Sequence, residues 1–200
     1  MKQKPTIKPL VLQISFCLLA HAAHADDSFS YKYIELGVGH SNNTMKTRYN
    51  FEGRGYYFKG SFNLSESIYL GGYFDDKEIN NLNFDVANYG IFSGYHKSLK
   101  PNLDIYGEVK AFRINPSNLG SRSNAMNLLG FGGGLRYKAT EKFELGASYF
   151  FYNQNNSLNS NYNAFAVETS YEIFDNKSLR LKVESSDGEL ESQLGFRFSF

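Results

Sequence analysis

Residues 190–200 read LESQLGFRFSF, and apolar and polar side chains alternate along the whole stretch. Leu190, Leu194, Phe196, Phe198 and Phe200 share one parity with Ser192, whereas Glu191, Gln193, Gly195, Arg197 and Ser199 hold the other. A strand sends successive side chains to opposite faces, so this segment is a ribbon with one apolar and one wet side. If the pattern recurs along the chain, the apolar side faces lipid and the chain is a closed transmembrane barrel.

The pattern recurs in ten segments, at about 30–41, 52–64, 67–75, 86–97, 103–113, 126–139, 143–152, 162–174, 178–186 and 190–200. Most reach the roughly 9 to 11 residues that a tilted strand needs to cross the apolar layer of a bilayer. In the first, Ile34, Leu36 and Val38 oppose Tyr33, Glu35, Gly37 and Gly39; in the fifth, Leu103, Ile105 and Val109 oppose Asp104, Tyr106, Glu108 and Lys110. In the eighth, Phe165, Val167, Tyr171 and Ile173 oppose Ala164, Ala166, Glu168, Ser170 and Glu172. The fourth segment is weaker and the ninth shorter, which leaves an eight-strand barrel with larger loops as the alternative count.

Charge placement decides between lipid and a soluble core. Lys59, Glu108, Lys110, Arg136, Glu144, Glu168, Arg180, Lys182, Glu184 and Arg197 all fall on the non-apolar parity. A charge at the bilayer midplane costs about 2 to 4 kcal/mol, so its exclusion from one face is what lipid enforces. A soluble sandwich or lipocalin-like barrel also alternates, but it does not need so many Phe and Tyr with glycines opposite. The fold expected is therefore all-β: a transmembrane antiparallel up-and-down barrel, with ten strands favoured over eight.

Residues 1–25 read as a secretory leader: Lys2, Lys4 and Lys8, an apolar run from Leu10 to Ala20, and the small-x-small site Ala23-His24-Ala25. The barrel then occupies residues 26–200. The only cysteine, Cys17, lies within the leader behind Phe16, where a lipoprotein signal would carry a small residue, so the exported chain is expected to hold no disulfide or lipid. Without the three leader lysines, 18 basic residues face 20 acidic ones, and no basic excess points to nucleic acid. The mean hydropathy of −0.43 is compatible with a barrel, because half of each strand faces a polar interior.

Short connections, at 65–67, 98–102, 140–142 and 175–177, alternate with longer ones at 42–51, 76–85, 114–125 and 153–161, and Asp187-Gly188-Glu189 is a tight fifth. Short turns on the periplasmic side and longer loops outside are usual for outer-membrane barrels, which puts both termini in the periplasm. Tryptophan is absent, leaving the 15 Tyr and 18 Phe to form interfacial belts. Tyr49, Tyr56, Tyr152 and Tyr162 suit the outer rim, and Tyr95, Tyr137, Tyr171 and Phe174 the periplasmic one.

The stretches YIELGVG (33–39), GYYFKGSFNLSESIYLGGYF (55–74) and NYGIFSGYHKSLKPNLDIYGEV (88–109) resemble small bacterial outer-membrane barrels of the OmpA/OmpX-like superfamily, single-domain and porin-like. The terminal GFRFSF looks like the signature by which the barrel-assembly machinery recognises its substrates, carried by Phe196, Phe198 and Phe200. The resemblance spans essentially all of residues 26–200 and implies outer-membrane residence, with the assembly machinery and periplasmic chaperones as partners during biogenesis. Its motifs are architectural, so it implies place better than activity. No peptidoglycan-binding domain is expected after Phe200.

For the lumen two readings stand. The acids and bases on the inner parity, with Glu172 and Lys138 among them, either pair into a network that fills the interior or line a narrow permeation path. A ten-strand barrel is too small for a wide pore. Enzymatic readings lack residues: His40 with Ser41 and one of Asp75, Asp76 or Glu78 is the one set that can be assembled for acyl transfer, and a satisfied rim histidine is the plainer reading. Asp75, Asp76, Glu78 and Asp85 make the second outer loop acidic, where calcium or lipopolysaccharide-bridging cations could sit weakly. A solvated charged loop is the plainer reading there too. The expectation is a monomeric, cofactor-free, non-enzymatic channel or envelope-structural protein in contact with outer-membrane lipid and lipopolysaccharide. Its alternative is a surface module whose outer loops bind lipopolysaccharide or partner proteins.

Overall fold

A computed structural model describes residues 29–43, 51–80, 84–117, 125–155 and 161–200. The leader reading and Tyr49 lie outside the described residues. Ten strands follow one another: β1 Tyr33–Asn43, β2 Phe51–Asn63, β3 Ile68–Ile79, β4 Phe84–Lys100, β5 Leu103–Ser117, β6 Met126–Lys138, β7 Phe143–Asn155, β8 Asn161–Phe174, β9 Lys177–Ser186 and β10 Glu189–Ser199. Each pairs antiparallel with its chain neighbours, and β1 pairs with β10 from Tyr33 opposite Ser199 to Asn43 opposite Glu189, so the barrel closes with no free edge. The ten-strand count holds, and the segment around 190–200 is the closing strand.

The barrel is apolar outside and charged inside. Ile91 and Val109 are 63 % and 61 % exposed, whereas the two most completely buried large side chains, Glu35 and Asp104, are both acids at 0 %. Such an inversion is stable only where the outer surface meets lipid rather than water. Every strand obeys it: Leu36 and Val38 face out while Glu35 and Ser41 face in, and Leu179 and Leu181 face out while Arg180 faces in.

At one end the strands run further than expected. Strands β3, β5 and β7 end at Ile79, Ser117 and Asn155, so most of the described residues within the expected long loops are strand. Outward alternation of apolar residues stops near Phe74, Ala111 and Phe151, and Glu78, Arg113 and Asn153 follow as exposed polar residues. The hydrogen-bonded ladder continues past the apolar belt because backbone pairing does not depend on what the outer side chains touch. Alternation of lipid-compatible residues marks the membrane, not the strand.

Three of the turns are two residues long, Pro101-Asn102 between β4 and β5 being one. Asp187 and Gly188 both have positive φ (39° and 88°), the sign pair of a type I′ hairpin turn, where Asp-Gly is favoured because it tolerates the left-handed region. Asp175-Asn176 joins β8 to β9, with Asn176 at φ 62° and its amide donating to Glu172 Oε1 at 3.2 Å.

Candidate functional site in the barrel lumen

Strand alternation sends one set of side chains from all ten strands into a common interior, and the register sets which of them meet. Glu35 lies opposite Arg197 on β10 and opposite Lys59 on β2. Its carboxylate accepts Arg180 Nη1 at 3.0 Å on both oxygens, Arg197 Nε at 2.8 Å and the Tyr57 hydroxyl at 2.8 Å. Arg180 also donates to Glu168, and Arg136 forks onto Glu144 at 2.6 and 2.9 Å. Buried charges persist only when paired and hydrogen-bonded, and here bidentate guanidinium geometry meets both demands.

The wall makes room for this hub. Gly37 and Gly195 face each other across β1 and β10, and a Cβ on Gly195 would fall on the Tyr57 hydroxyl and 3.0 Å from its Cζ. Gly94 likewise lies under the Tyr69 ring. Gly195 and Gly94 thus seat neighbouring rings rather than leaving open volume. Gly195→Ala is expected to push Tyr57 off Glu35 and cost about 1–3 kcal/mol. A urea unfolding midpoint equal to that of the native protein would show that the ring has somewhere else to go.

Towards the long-loop end lie further pairs: Glu108 with Lys110 at 3.0 Å and the Tyr69 hydroxyl at 3.0 Å, Lys182 with Glu184 at 2.6 Å, and Lys77 with Glu191 at 2.7 Å and Asp75 at 3.6 Å. Lys59 rests on the Phe92 and Tyr33 rings, 4.7 and 5.7 Å from their centroids. Lys110 sits 3.5 Å above Phe150.

The short-turn end is filled by the chain's own approach to β1. Phe29 and Tyr31 are buried against Tyr69 and Phe92. The Tyr31 ring stacks on His96 at 4.0 Å and Tyr69 at 4.5 Å, and its hydroxyl donates to Asp104 Oδ2 at 2.9 Å. Burial holds the Tyr31 phenol well above its ordinary range, so it remains a donor. Arg136 Nη1 donates to the Ser30 carbonyl at 3.1 Å, and its guanidinium lies 4.8 Å from the Tyr31 centroid. Residues 29–32 therefore form a cork at this end.

Two adjoining cavities lie among the described lumen residues. One of about 400 Å³ opens at the long-loop end and has Tyr73, Phe112, Tyr152 and Tyr162 among its lining residues. Below it a polar space of about 50 Å³ reaches Tyr31 of the cork, and the two share Lys59, Glu108, Lys110, Arg180, Lys182 and Glu184 in their walls.

All ten lumen residues named from sequence face inward: Glu35 joins Arg180 and Arg197, Glu168 meets Arg180, Arg136 meets Glu144, Glu108 meets Lys110, Lys182 meets Glu184, and Lys59 meets rings. Sequence reasoning passed over Glu35 and Asp104 as hubs, although both stood on the inner parity. It also missed Lys77 and Glu191, and the cork, although Tyr31 stood within the first alternating segment on the parity of Glu35. Phe196 and Phe198 pack their rings at 4.8 Å, and the Phe200 amide donates to the Lys32 carbonyl at 3.2 Å.

Several expectations need correction. Tyr152 and Tyr162 are not rim-belt residues; they stack at 4.9 Å inside the lumen, because their parity is that of Gly146 and Ala164. Tyr56, Tyr95, Tyr137, Tyr171 and Phe174 are exposed on the outer face as expected. Asp75, Asp76 and Glu78 are not a loop cluster: they lie on β3, with Asp75 buried inside and Glu78 exposed outside, so alternation splits the proposed cation site. Asp76 instead accepts the Tyr56 hydroxyl at 3.0 Å, and among the described residues no three His, Cys, Asp or Glu converge on a metal-sized site. Ser41 is buried inside while His40 is exposed outside, 3.9 Å from Glu52, so that acyl-transfer set does not assemble.

No family model and no curated protein matches the chain. Solved structures do. An outer-membrane channel of Pseudomonas putida F1 aligns with a TM-score of 0.56 at 9 % identity, over 90 % of this chain and 100 % of that one. The NanC porin aligns at 0.55 and 10 % identity, over 84 % and 100 %. The β domain of the Bordetella autotransporter BrkA aligns at 0.54 and 10 % identity, over 86 % and 100 %. At such identities the likeness is one of backbone path, and with the inverted surface it makes this chain a closed ten-strand barrel of the fold found in outer-membrane β-barrel proteins.

Proposed function

We propose that the chain is a narrow, non-enzymatic channel of the bacterial outer membrane, closed at its short-turn end by residues 29–32. The observation that carries this reading is the pair of adjoining cavities, which lead from the long-loop end down to Tyr31. The cork is short, and its anchors are the Tyr31–Asp104 and Arg136–Ser30 hydrogen bonds. In this reading both termini and the short turns face the periplasm, the longer loops meet lipopolysaccharide outside, and the monomer is the working unit. Phe196, Phe198 and Phe200 serve as the assembly signal.

Conductance across a planar bilayer tests it. The native barrel is expected to show small, infrequent steps, and Tyr31→Ala larger or longer ones, because the stack on His96 and Tyr69 is lost. Neutralising Glu168 or Arg136 is expected to change the step size. Silence from both the native protein and Tyr31→Ala, in preparations whose heat-modifiable migration proves them folded, would overturn the channel in favour of a sealed envelope-structural barrel.

A further inference from the structure

The wide cavity at the long-loop end has a chemistry that permeation alone does not explain. Four rings form an arc on its wall: Tyr73 on β3 meets Phe112 on β5 at 5.9 Å, Phe112 meets Tyr152 on β7 at 5.5 Å, and Tyr152 stacks on Tyr162 of β8 at 4.9 Å. The same cavity is also lined by five acids, Asp75 on β3, Glu108 on β5, Glu184 on β9, and Glu189 and Glu191 on β10, and by as many bases. Among the bases, Lys77 is already engaged by Glu191 and Asp75, Lys182 by Glu184 and Lys110 by Glu108.

Asp75 supplies an independent sign. It is 9 % exposed and lines this cavity, and its Oδ1 has no hydrogen-bond partner among the described residues. Asn88, its register partner on β4, also lines the cavity and also has an unpartnered Oδ1. Two buried acceptors without donors fit a ligand that brings donors or positive charge. Aromatic faces attract the same kind of group through their quadrupoles, most strongly when it is shielded from water.

We infer that the vestibule binds small organic cations: an ammonium group directed at Asp75, with its apolar substituents against Tyr73, Phe112, Tyr152 and Tyr162. Lys59, Lys110 and Arg180 stand at the floor of the cavity, so a cation is held in the vestibule above them. A volume of about 400 Å³ suits a ligand the size of a substituted benzylamine. The site stands whether or not the barrel conducts, since its readout is equilibrium binding.

The test is isothermal titration of the folded, detergent-solubilised full barrel with benzyltrimethylammonium, and with benzenesulfonate as the anion of matched size. The ammonium is expected to bind and the sulfonate not. Asp75→Asn, which keeps the side-chain shape, and Tyr162→Leu, which removes the ring at the end of the arc, are each expected to weaken binding roughly 3- to 30-fold. Heat-modifiable migration and circular dichroism report whether each variant is folded, and either variant alone suffices as the test. Equal or tighter binding of benzenesulfonate, no binding of the ammonium to the native barrel, or binding untouched by a folded variant would each overturn the site.

Discussion

Glu35→Ala is expected to destabilise the barrel by about 3–5 kcal/mol, the cost typical of breaking a buried ion pair from one side. Glu35 is 0 % exposed and holds Arg180, Arg197 and the Tyr57 hydroxyl on its two oxygens. Removing the carboxylate leaves two guanidinium groups converging on one point, with Arg180 retaining a second acid, Glu168. The Tyr57 hydroxyl loses its acceptor as well. Glu35→Gln keeps a carbonyl for Tyr57 and the side-chain volume, so it isolates the charge and is expected to cost less than alanine. Urea unfolding in lipid vesicles measures both, followed by gel migration because the chain has no tryptophan for fluorescence. An alanine variant within about 1 kcal/mol of native would mean that the two arginines find other partners and that Glu35 is not the hub.

Val167→Arg is expected to cost about 2–4 kcal/mol, and the same change at Leu129 less than about 1. Val167 lies between Phe165 and Tyr171 on the outer face of β8, within the apolar belt, and is 48 % exposed. Leu129 is the last apolar residue on the outer face of β6 before the exposed Asn127, so an arginine there reaches the headgroups. The contrast separates lipid from water more cleanly than either number alone. In water, both exposed positions would accept arginine within about 0.5 kcal/mol. Equal, small losses at the two sites in vesicles would remove the bilayer from the account of this surface.

Much of the architecture was legible because a closed barrel repeats one local rule. Ile34, Leu36 and Val38 against Tyr33 and Glu35 already show which side of β1 meets lipid, and the same reading held through to Arg197 on β10. The rule fails where its physical cause ends. Beyond the belt, Glu78 and Arg113 face outward, and reading parity alone cut the strands short there and turned a ladder into loops. It also misassigned Tyr152 and Tyr162, since a tyrosine near a strand end suits a headgroup belt or a lumen equally well by composition, and only the count of residues from Gly146 and Ala164 tells them apart.

The candidate site was legible as a list and not as a set of partners. That Glu108, Arg136 and Arg180 face inward follows from period two along one strand, a property of neighbouring residues. That Glu35 collects Arg180, 145 residues away, follows from register and closure, which bring β1 and β10 together and lay β9 beside them. The cork shows the same limit: Phe29 and Tyr31 share the parity of Tyr33 and Glu35, but alternation does not say that they pack on Tyr69 and Phe92, with Arg136 holding the Ser30 carbonyl. The sequence alone determined the barrel, its lipid face and the charged lining, because those depend on alternation and on the cost of charge in lipid. Only the tertiary structure decided which charges pair, what closes the lumen and where its aromatic vestibule lies, because those depend on distances across a ring that the chain order does not contain.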